Sequence, residues 1–271
     1  MEKYRIKPDQ KVKMTDFDPN DRSGWDRDKA SAEAKLAELC LELDQLQDLL
    51  YAESKHKILV VLQAMDTAGK DGTIQAVFDG VNPQGVRVTS FKVPSTTEAA
   101  HDYLWRIHAS APENGQIMIF NRSHYENLLV VRVHNLVPEE VWKKRFQHIN
   151  DFERMLADEG TTIIKFFLNI DLDTQKARLL DRVEDPKKQW KLSSADLPER
   201  KLWPAYMDAY ADVLSKTSTD WAPWYVVPAN HNWYRNLVVA SVIVDTLKGL
   251  KPQFPPTTQD IAAYRKQLES E

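Results

Sequence analysis

Cysteine is almost absent from this sequence, and long apolar runs are missing altogether. Cys40 is the only cysteine among the 271 residues, so no disulfide can form within the chain. A chain without disulfides is typical of reducing compartments and predicts a cytoplasmic location. No segment approaches about eighteen consecutive apolar residues, and residues 1–13 lack the apolar core of a signal peptide. We therefore expect neither export nor a membrane-spanning helix.

Positive charge is also not in excess. The chain carries 36 Lys and Arg residues against 40 Asp and Glu residues, for a formal net charge of −4. This balance argues against a general nucleic-acid-binding protein but leaves room for a local basic groove that binds another polyanion. With 271 residues, of which 42% are hydrophobic, the chain can bury a large core. We predict one α/β domain over residues 1–271, although two small domains would also fit this length.

The residues from 57 to 74, KILVVLQAMDTAGKDGTI, carry the clearest signal of chemistry. An unbroken apolar run at 58–62 suits a strand buried on both faces of a parallel sheet. A small-residue turn follows and ends in Gly69 and Lys70, after which the spacing becomes helical. In a phosphate-binding loop, backbone N–H groups at the helix N-terminus and a lysine ammonium surround phosphate oxygens. This pattern assigns phosphate binding to Lys70, Gly69 and Gly72.

The loop departs from the common pattern G-x-x-x-x-G-K-[ST] at two of its fixed positions. Ala64 replaces the first glycine, and Asp71 replaces the serine or threonine that usually binds Mg²⁺. Carboxylate oxygens at Asp66 and Asp71 are the kind of ligand that Mg²⁺ prefers, and they stand beside a lysine that would hold phosphate. The pattern therefore predicts a Mg²⁺ and phosphate site. A solvated turn with an incidental Gly-Lys pair is the alternative.

A second group of polar residues follows the short apolar strand predicted at 116–120. Asn121, Arg122 and the residues up to Glu126 come directly after it. Polar side chains at the carboxyl end of a parallel strand lie in the crevice where α/β proteins bind ligands. The end of such a strand normally supplies an acidic Mg²⁺ ligand, whereas this chain has a neutral amide followed by a guanidinium. An ordinary polar turn is the alternative.

A basic cluster lies on the helix that we predict to begin near residue 173. Pro186 interrupts the helix inside this cluster, and Trp190 lies within it. A broken, basic helix suits a mobile lid, over about residues 178–201, that closes positive charges over an anion. A solvated charged face is the other interpretation. The candidate anion-binding residues of the lid are Arg178, Arg182, Lys187 and Lys188.

The remaining segments alternate between helix and strand patterns. An N-terminal arm and helix occupy 1–56, and the leucine stripe of that helix packs on the core of the chain or forms a subunit contact. Five strands separated by helices predict a doubly wound parallel sheet. Further strands are expected at 86–93, 161–168 and 224–227, and helices at 69–80, 95–108, 138–159, 198–215 and 233–247.

Four stretches carry a resemblance to a known family: LQAMDTAGKDGTI at 62–74, FNRSHYENLLVVRVH at 120–134, RVEDPKKQWK at 182–191 and APWYVVPANHNWYRN at 222–236. Together they resemble the polyphosphate kinase 2 family, and most of all its members that phosphorylate both AMP and ADP. The resemblance implies a P-loop kinase fold with a helical lid, Mg²⁺ dependence and a homo-oligomer, either dimer or tetramer. It also implies phosphoryl transfer from inorganic polyphosphate to AMP or ADP, which forms ADP and ATP.

The resemblance also implies roles for the motif residues. Asp66 would bind Mg²⁺ and orient the attacking phosphate, Lys70 would hold the phosphates, and Arg122 would grip the transferring phosphoryl group. Many members of the family have aspartate where this chain has an amide, and we expect the neutral side chain to let both AMP and ADP serve as acceptors. The residues expected on the nucleotide side of the site are Asn121, Tyr125 and Glu126.

Two other classes of function fit part of the sequence. An NTP-dependent kinase of nucleoside monophosphates or small molecules would use the same loop to hold ATP, although the loop lacks its first glycine and its serine or threonine. A P-loop-like binding protein without enzymatic activity would not need the combination of Asp66, Lys70 and Arg122. The sequence therefore favours polyphosphate-dependent phosphoryl transfer, without nucleic-acid or membrane partners.

Overall fold

The central feature of the fold is a five-stranded parallel sheet. The structure, a computed structural model, describes residues 1–271. The strands lie in the order β2-β3-β1-β4-β5, and every neighbouring pair is parallel. Along the chain they are β1 (Lys57–Ala64), β2 (Val86–Ser90), β3 (Ile117–Asn121), β4 (Thr161–Asn169) and β5 (Trp224–Pro228). The predicted parallel sheet of five strands is confirmed.

Eleven α-helices connect and flank the strands. None of them combines the length and apolarity needed to cross a membrane. In chain order they are α1 (Lys29–Glu53), α2 (Lys70–Val77), α3 (Thr96–Ala99), α4 (Trp105–His108), α5 (Val130–Val133), α6 (Glu139–Asp158), α7 (Leu172–Glu184), α8 (Asp196–Lys201), α9 (Trp203–Thr217), α10 (Asn232–Leu250) and α11 (Ile261–Ser270).

Strand β1 lies at the centre of the sheet and is buried on both faces, which explains its continuous apolar run. It pairs with β3 on one side and with β4 on the other, so that Val60 lies opposite both Ile119 and Ile164. Alternate β1 side chains enter different halves of the core because successive strand residues point to opposite faces. Val60 contributes to the half covered by α1, α2 and α10, and Val61 contributes to the half covered by α6 and α9. The sheet is therefore a layer between two helical layers.

The leucine stripe of α1 packs on the core of the chain itself. Leu39, Leu43 and Leu50 are buried, and α1 lies against α10. Asp28 caps the helix by accepting a hydrogen bond from the Ser31 N–H at 2.8 Å. Of the two interpretations of this stripe, the structure supports internal packing.

The N-terminal arm lies along the outer edge of β5. The Ile6 N–H donates to the Trp224 carbonyl at 2.8 Å, and Arg5 forms an isolated antiparallel bridge with Tyr225. Tyr4 and Ile6 are buried at this contact. The arm therefore covers a strand edge whose N–H and C=O groups would otherwise be unpaired.

Two predicted helices are interrupted in the structure. The helix expected at 95–108 is divided into α3 and α4, because Asp102 accepts a hydrogen bond from the Leu104 N–H and starts a new turn there. The helix expected at 198–215 is divided after Leu202, where α9 begins with Pro204 in its first turn. Proline fits a first turn but not a helix interior, so it starts a new helix at this position.

We expect Leu43→Ala to lower the free energy of unfolding by about 2–5 kcal/mol, because it removes a fully buried side chain between α1 and the sheet. Leu41→Ala is the matched control, since Leu41 lies on the same helix and is 68% exposed. It should change the free energy of unfolding by no more than about 0.5 kcal/mol. Urea denaturation of both variants measures the difference, and equal effects would contradict the packing assigned to α1.

Candidate active site at the carboxyl ends of β1 and β3

The turn between β1 and α2 is a compact loop in which two residues have positive φ angles. Gly69 precedes α2 and has a φ of 98°, a left-handed conformation that favours glycine. Thr67, inside the loop, also has a positive φ of 64°, which is unusual for a β-branched residue. The first N–H groups of α2 have no partner within the helix, so this end suits an anion. The structure therefore has the loop geometry that the sequence predicts.

A buried arginine that sequence reasoning missed supports this loop. Arg235, on α10, is 3% exposed and donates to the Ala68 carbonyl at 3.0 Å. Its other hydrogen bonds go to the amide oxygens of Asn232 and Asn236. A Cβ atom at Gly69 would lie 2.0 Å from the Arg235 Nη1 atom. The glycine is therefore needed for the approach of the guanidinium as well as for its own φ.

Arg178, on α7, supports the loop from a second direction. Its guanidinium donates to the Thr67 carbonyl at 3.0 Å, to the Ala229 carbonyl at 2.7 Å and to the Asn232 amide oxygen at 2.8 Å. These bonds commit Arg178 to the backbone between β1 and α2 and between β5 and α10. The assignment of Arg178 to the lid and its contact with a phosphate both stay predictions.

Lys70 and Asp66 lie next to each other in this loop and shift each other's ionisation. Lys70 is 8% exposed, and its Nζ atom donates to the Ala64 carbonyl at 3.2 Å. Burial and the nearby Arg122 lower the pKa of Lys70 to about 8, although Asp66 opposes them. Burial raises the pKa of Asp66, but Lys70 and Arg182 outweigh it and hold the carboxyl below its ordinary value. Asp66 is therefore ionised at neutral pH.

Asp66 is the point where the segment predicted to form a lid meets the loop between β1 and α2. The Arg182 guanidinium lies 3.5 Å from the Asp66 carboxylate. Asp196, at the start of α8, faces the same carboxylate, and burial together with this like charge raises the pKa of Asp196. Sequence reasoning assigned no role to Asp196, because an acidic residue in a charged segment is usually solvated.

The second polar stretch meets the first at the same edge of the sheet. Asn121 ends β3 opposite Leu62 of β1, and its side-chain amide donates to the Asp71 carboxylate at 2.6 Å. Arg122 follows with a φ of 63°, and its guanidinium lies 3.8 Å from the Glu126 carboxylate. The sheet order places β1 and β3 side by side, so the structure brings the two predicted groups together at a switch point of the strand order.

Glu126 is partly exposed within this edge. It accepts a hydrogen bond from the Gln63 side-chain amide at 3.0 Å, and 18% of its side chain is exposed. Its position between Arg122 and Gln63 suits a contact with the acceptor nucleotide or with a water molecule bound to that nucleotide. This role stays a prediction, as does the nucleotide contact of Asn121.

Tyr125 does not fit the nucleotide contact predicted for it. Its side chain is fully buried, and its hydroxyl donates to the Glu153 carboxylate at 2.8 Å and accepts from the Lys165 ammonium at 2.7 Å. Arg122 and Glu126 are partly exposed at the site, whereas His124 and Tyr125 between them point to the core. The prediction of a direct nucleotide contact is therefore wrong for Tyr125.

The outer part of the segment predicted to form a lid is exposed and charged. Lys188 forms ion pairs with Asp181 and Asp185 at 2.7 and 3.4 Å, so part of its charge is already neutralised. Lys187 is exposed, and Trp190 is 77% exposed. Neither lysine contacts the loop between β1 and α2 in this conformation, and their binding of an anion stays a prediction.

The donor chemistry of the site fits a hard divalent cation. Asp66 is ionised and 35% of its side chain is exposed, so its oxygens are accessible. No group of three or more acidic, histidine or cysteine side chains forms a complete metal cage. Mg²⁺ commonly binds through one or two carboxylates and completes its shell with waters and substrate phosphates. The arrangement at Asp66 therefore suits a cation that arrives with a phosphate substrate.

The chain is similar over nearly its full length to proteins of one family. A family model described as polyphosphate kinase 2 matches residues 26–255. The AMP/ADP-polyphosphate phosphotransferase of Meiothermus ruber is 57% identical over 255 residues, which cover 94% of this chain and 96% of that protein. The ADP-polyphosphate phosphotransferase of Rhodopseudomonas palustris is 48% identical over 238 residues, which cover 83% and 81%. The crystal structure of polyphosphate kinase 2 from Arthrobacter aurescens TC1 superposes with a TM-score of 0.93 at 43% identity, covering 96% of this chain and 93% of that chain.

We expect Gly69→Ala to lower turnover by at least about tenfold, because the new methyl group displaces Arg235 and shifts the loop backbone. Gly80→Ala is the matched control. Gly80 also has a positive φ, of 82°, but a Cβ atom added there would have no other atom within 4 Å. Each variant should lose about 1–2 kcal/mol of stability from the left-handed backbone. Equal turnover of the two variants would contradict the support role of Arg235.

Proposed function

The chain belongs to the polyphosphate kinase 2 family, and we propose that it transfers the terminal phosphoryl group of inorganic polyphosphate to AMP and to ADP, which forms ADP and ATP. The observation that carries this proposal is the convergence of Asp66, Lys70 and Arg122 at one edge of the sheet. The 57% identity with a relative named for phosphotransfer between polyphosphate and AMP or ADP supports this choice of substrates.

Phosphoryl transfer requires the protein to position the substrates and to neutralise charge more than to form covalent bonds. Lys70 and the N-terminus of α2 would hold the donor's phosphate oxygens. Arg122, with a guanidinium that presents parallel N–H donors, would bind the transferring phosphoryl group from the side of β3. Two cations on opposite sides of the transferring group would stabilise the charge that it carries in the transition state.

The metal in this mechanism is Mg²⁺, and Asp66 would hold it. When bound, the ion neutralises phosphate charge, as in other phosphoryl-transfer enzymes. Asp66 itself would orient the attacking phosphate oxygen of the acceptor. Arg182, 3.5 Å from this carboxylate, would link lid closure to the same point.

The acceptor side has to accommodate two nucleotides of different length. AMP and ADP differ by one phosphate unit, a shift of about 3 Å, which is comparable to the separation that positioning must control. Asn121 donates to the Asp71 carboxylate, and because its own side chain is neutral it does not itself repel an additional phosphate. Glu126, 3.8 Å from Arg122 and partly exposed, would contact the acceptor through water. These features support the use of both acceptors.

An NTP-dependent kinase is the competing function. It would need a nucleotide on the donor side, whereas Ala64 and Asp71 remove two positions with which P-loop kinases usually hold ATP and its metal. A polyphosphate donor has no base, so one nucleotide pocket is enough. The relative with 48% identity is likewise named a polyphosphate phosphotransferase, which supports the same donor.

Oligomeric state and location are the finer parts of the proposal. We expect a homo-oligomer, either dimer or tetramer, that acts in the cytoplasm. One candidate surface is α11, on which Ile261, Tyr264 and Leu268 are each 58% exposed on neighbouring turns. The single free cysteine, Cys40, suits a reducing compartment.

With AMP and excess polyphosphate, we expect ADP to accumulate first and ATP to follow after a lag, because each product is the next acceptor. With ADP alone, ATP should form without a matching amount of AMP. Chromatographic quantification of AMP, ADP and ATP over time provides the measurement. The Lys70→Ala variant, purified in the same way, is the control for contaminating adenylate kinase.

Three outcomes would contradict the proposal in different ways. ATP from ADP that is always matched by equal AMP would indicate disproportionation and would limit direct phosphorylation to AMP. Product formation with GTP but not with polyphosphate would favour the NTP-dependent kinase. Absence of product with either donor would favour a binding protein.

We expect Lys187→Ala to raise the apparent KM for polyphosphate by about two- to fivefold, since one exposed charge contributes up to about 1 kcal/mol. Lys188→Ala should have a smaller effect, because Asp181 and Asp185 already neutralise part of its charge. Added KCl should weaken polyphosphate binding by the parental protein more than by Lys187→Ala, as for other polyanions. Lys144→Ala, an exposed lysine on α6, is the control, and identical KM values for all three variants would contradict the lid role.

A further inference from the structure

Four fully buried polar side chains form a network directly beneath the polar stretch that follows β3. Glu153 comes from α6, Lys165 from β4, and His124 and Tyr125 from the 3₁₀ turn that follows β3. All four are 0% exposed. None of them reaches the surface, so the proposed reaction does not use them directly.

Each member of the network has at least one hydrogen-bond partner within it, although the buried His124 Nδ1 atom has none. The Lys165 ammonium donates to Glu153 at 2.5 Å, to the Tyr125 hydroxyl at 2.7 Å and to the Thr217 carbonyl at 2.7 Å. The second Glu153 oxygen accepts from the Tyr125 hydroxyl at 2.8 Å and lies 3.0 Å from the His124 Nε2 atom. Both residues of the turn are thus fastened to one buried carboxylate.

The network contains one carboxylate and one ammonium in the core. Burial raises the pKa of Glu153, but Lys165 and His124 outweigh it and lower the pKa overall. Burial lowers the pKa of Lys165 to about 8, against the attraction of Glu153. Burial lowers the pKa of His124, so its imidazole is neutral at pH 7 and donates through Nε2. At neutral pH the core therefore holds an ion pair and a neutral histidine.

A buried ion pair is weak evidence for a gain in stability. The desolvation of the two charges offsets most of their attraction, and well-packed apolar side chains often serve stability as well. A buried hydrogen-bonded network does fix the positions of the groups that it joins, since a displacement of any of them leaves a buried group unpaired. The network is therefore better suited to positioning than to strengthening the core.

The residue that needs positioning is Arg122. Its φ of 63° is a left-handed conformation that a residue with a side chain adopts at a cost. Its N–H donates to the Leu62 carbonyl at 3.1 Å, which fixes one side of the strained residue. His124 and Tyr125 follow two and three residues after Arg122. Their hydrogen bonds to Glu153 fix the backbone on the other side of Arg122. The same turn directs Arg122 and Glu126 to the site, where 43% and 18% of their side chains are exposed.

We infer that the Glu153–Lys165 pair is a positioning device for the candidate active site, which holds His124 and Tyr125 and thereby the strained backbone and the guanidinium of Arg122. This inference rests on the proposed function, because its readout is phosphoryl transfer. His124, Tyr125, Glu153 and Lys165 are positioning residues and do not touch the substrates. Their effect reaches the reaction through Arg122.

Tyr125→Phe is the first test, because it removes the hydroxyl that joins the turn to both buried charges and keeps the ring. We expect kcat to fall by at least about tenfold, as small displacements of a positioned group can reduce the rate strongly, while KM for the nucleotide changes little. Tyr4→Phe is the matched control. Tyr4 is also buried and its hydroxyl donates to Asp21, but it lies in the N-terminal arm.

Melting temperatures separate positioning from simple destabilisation. All assays are run well below the melting temperature of each variant. If the network has a purely structural role, Tyr125→Phe and Tyr4→Phe should lower the melting temperature by similar amounts and retain similar fractions of the parental kcat. This result would overturn the inference.

Substitutions at His124 provide a second test that does not depend on Tyr125. His124→Leu removes the donor to Glu153, whereas His124→Gln retains an N–H donor at a similar distance from the backbone. We expect at least about a tenfold loss of kcat for His124→Leu and recovery to within about threefold of the parental value for His124→Gln. If His124→Leu retains full kcat, the network does not position the turn.

A double-mutant cycle tests whether the effect passes through Arg122. In the Arg122→Ala background, Tyr125→Phe should reduce kcat by less than about twofold, because the group that it positions is gone. Independent, multiplicative losses would overturn the proposed route. The parental protein in the same assay establishes the reaction itself, so a failed cycle rejects the positioning role and leaves the proposed function intact.

Discussion

The candidate site depends on how the loop between β1 and α2 is held from beneath. Arg235 and Arg178 donate to the consecutive carbonyls of Ala68 and Thr67, and both guanidiniums are anchored by amides that follow β5. Carbonyls that point to these arginines cannot point to a bound phosphate, so an anion at this loop would meet N–H groups and the Lys70 side chain. Gly69 is required in this arrangement because a side chain would occupy the space of the Arg235 guanidinium.

The sheet order extends this constraint to the rest of the molecule. Because β1 lies between β3 and β4, the loop after β1 has the polar end of β3 on one side and the start of α7 on the other. Arg122 therefore approaches from one direction and Arg182 from the opposite one. The helical layers on the two faces keep β1 rigid. The positions of Arg122 and Arg182 relative to the loop are therefore set from a fixed strand.

Much of this could be predicted from the sequence because it is local. The run before Gly69, the loop and the helix start lie within eighteen residues, so periodicity and turn chemistry identify them. Arg235 could not be found in this way, since its partner Ala68 is 167 positions away in sequence. Tyr125 was misassigned for a related reason: a motif gives the order of residues, whereas Glu153 and Lys165, which draw its hydroxyl inward, belong to other elements. The breaks before α4 and α9 depend on single residues within otherwise helical patterns.

The buried cations Lys165 and Arg235 are neutralised to different extents, and this difference follows from the chemistry proposed for the site. Lys165 is paired with a buried carboxylate, whereas Arg235 has only carbonyl and amide acceptors, and burial together with Arg178 lowers the pKa of Arg235 to about 9. Burying a guanidinium without a carboxylate is unfavourable for the protein alone. A carboxylate there would neutralise the positive charge beneath the loop, and it would repel a phosphate donor bound there. The loop therefore retains an unbalanced cation beneath it, and the amides of Asn232 and Asn236 fix that cation in place without removing its charge.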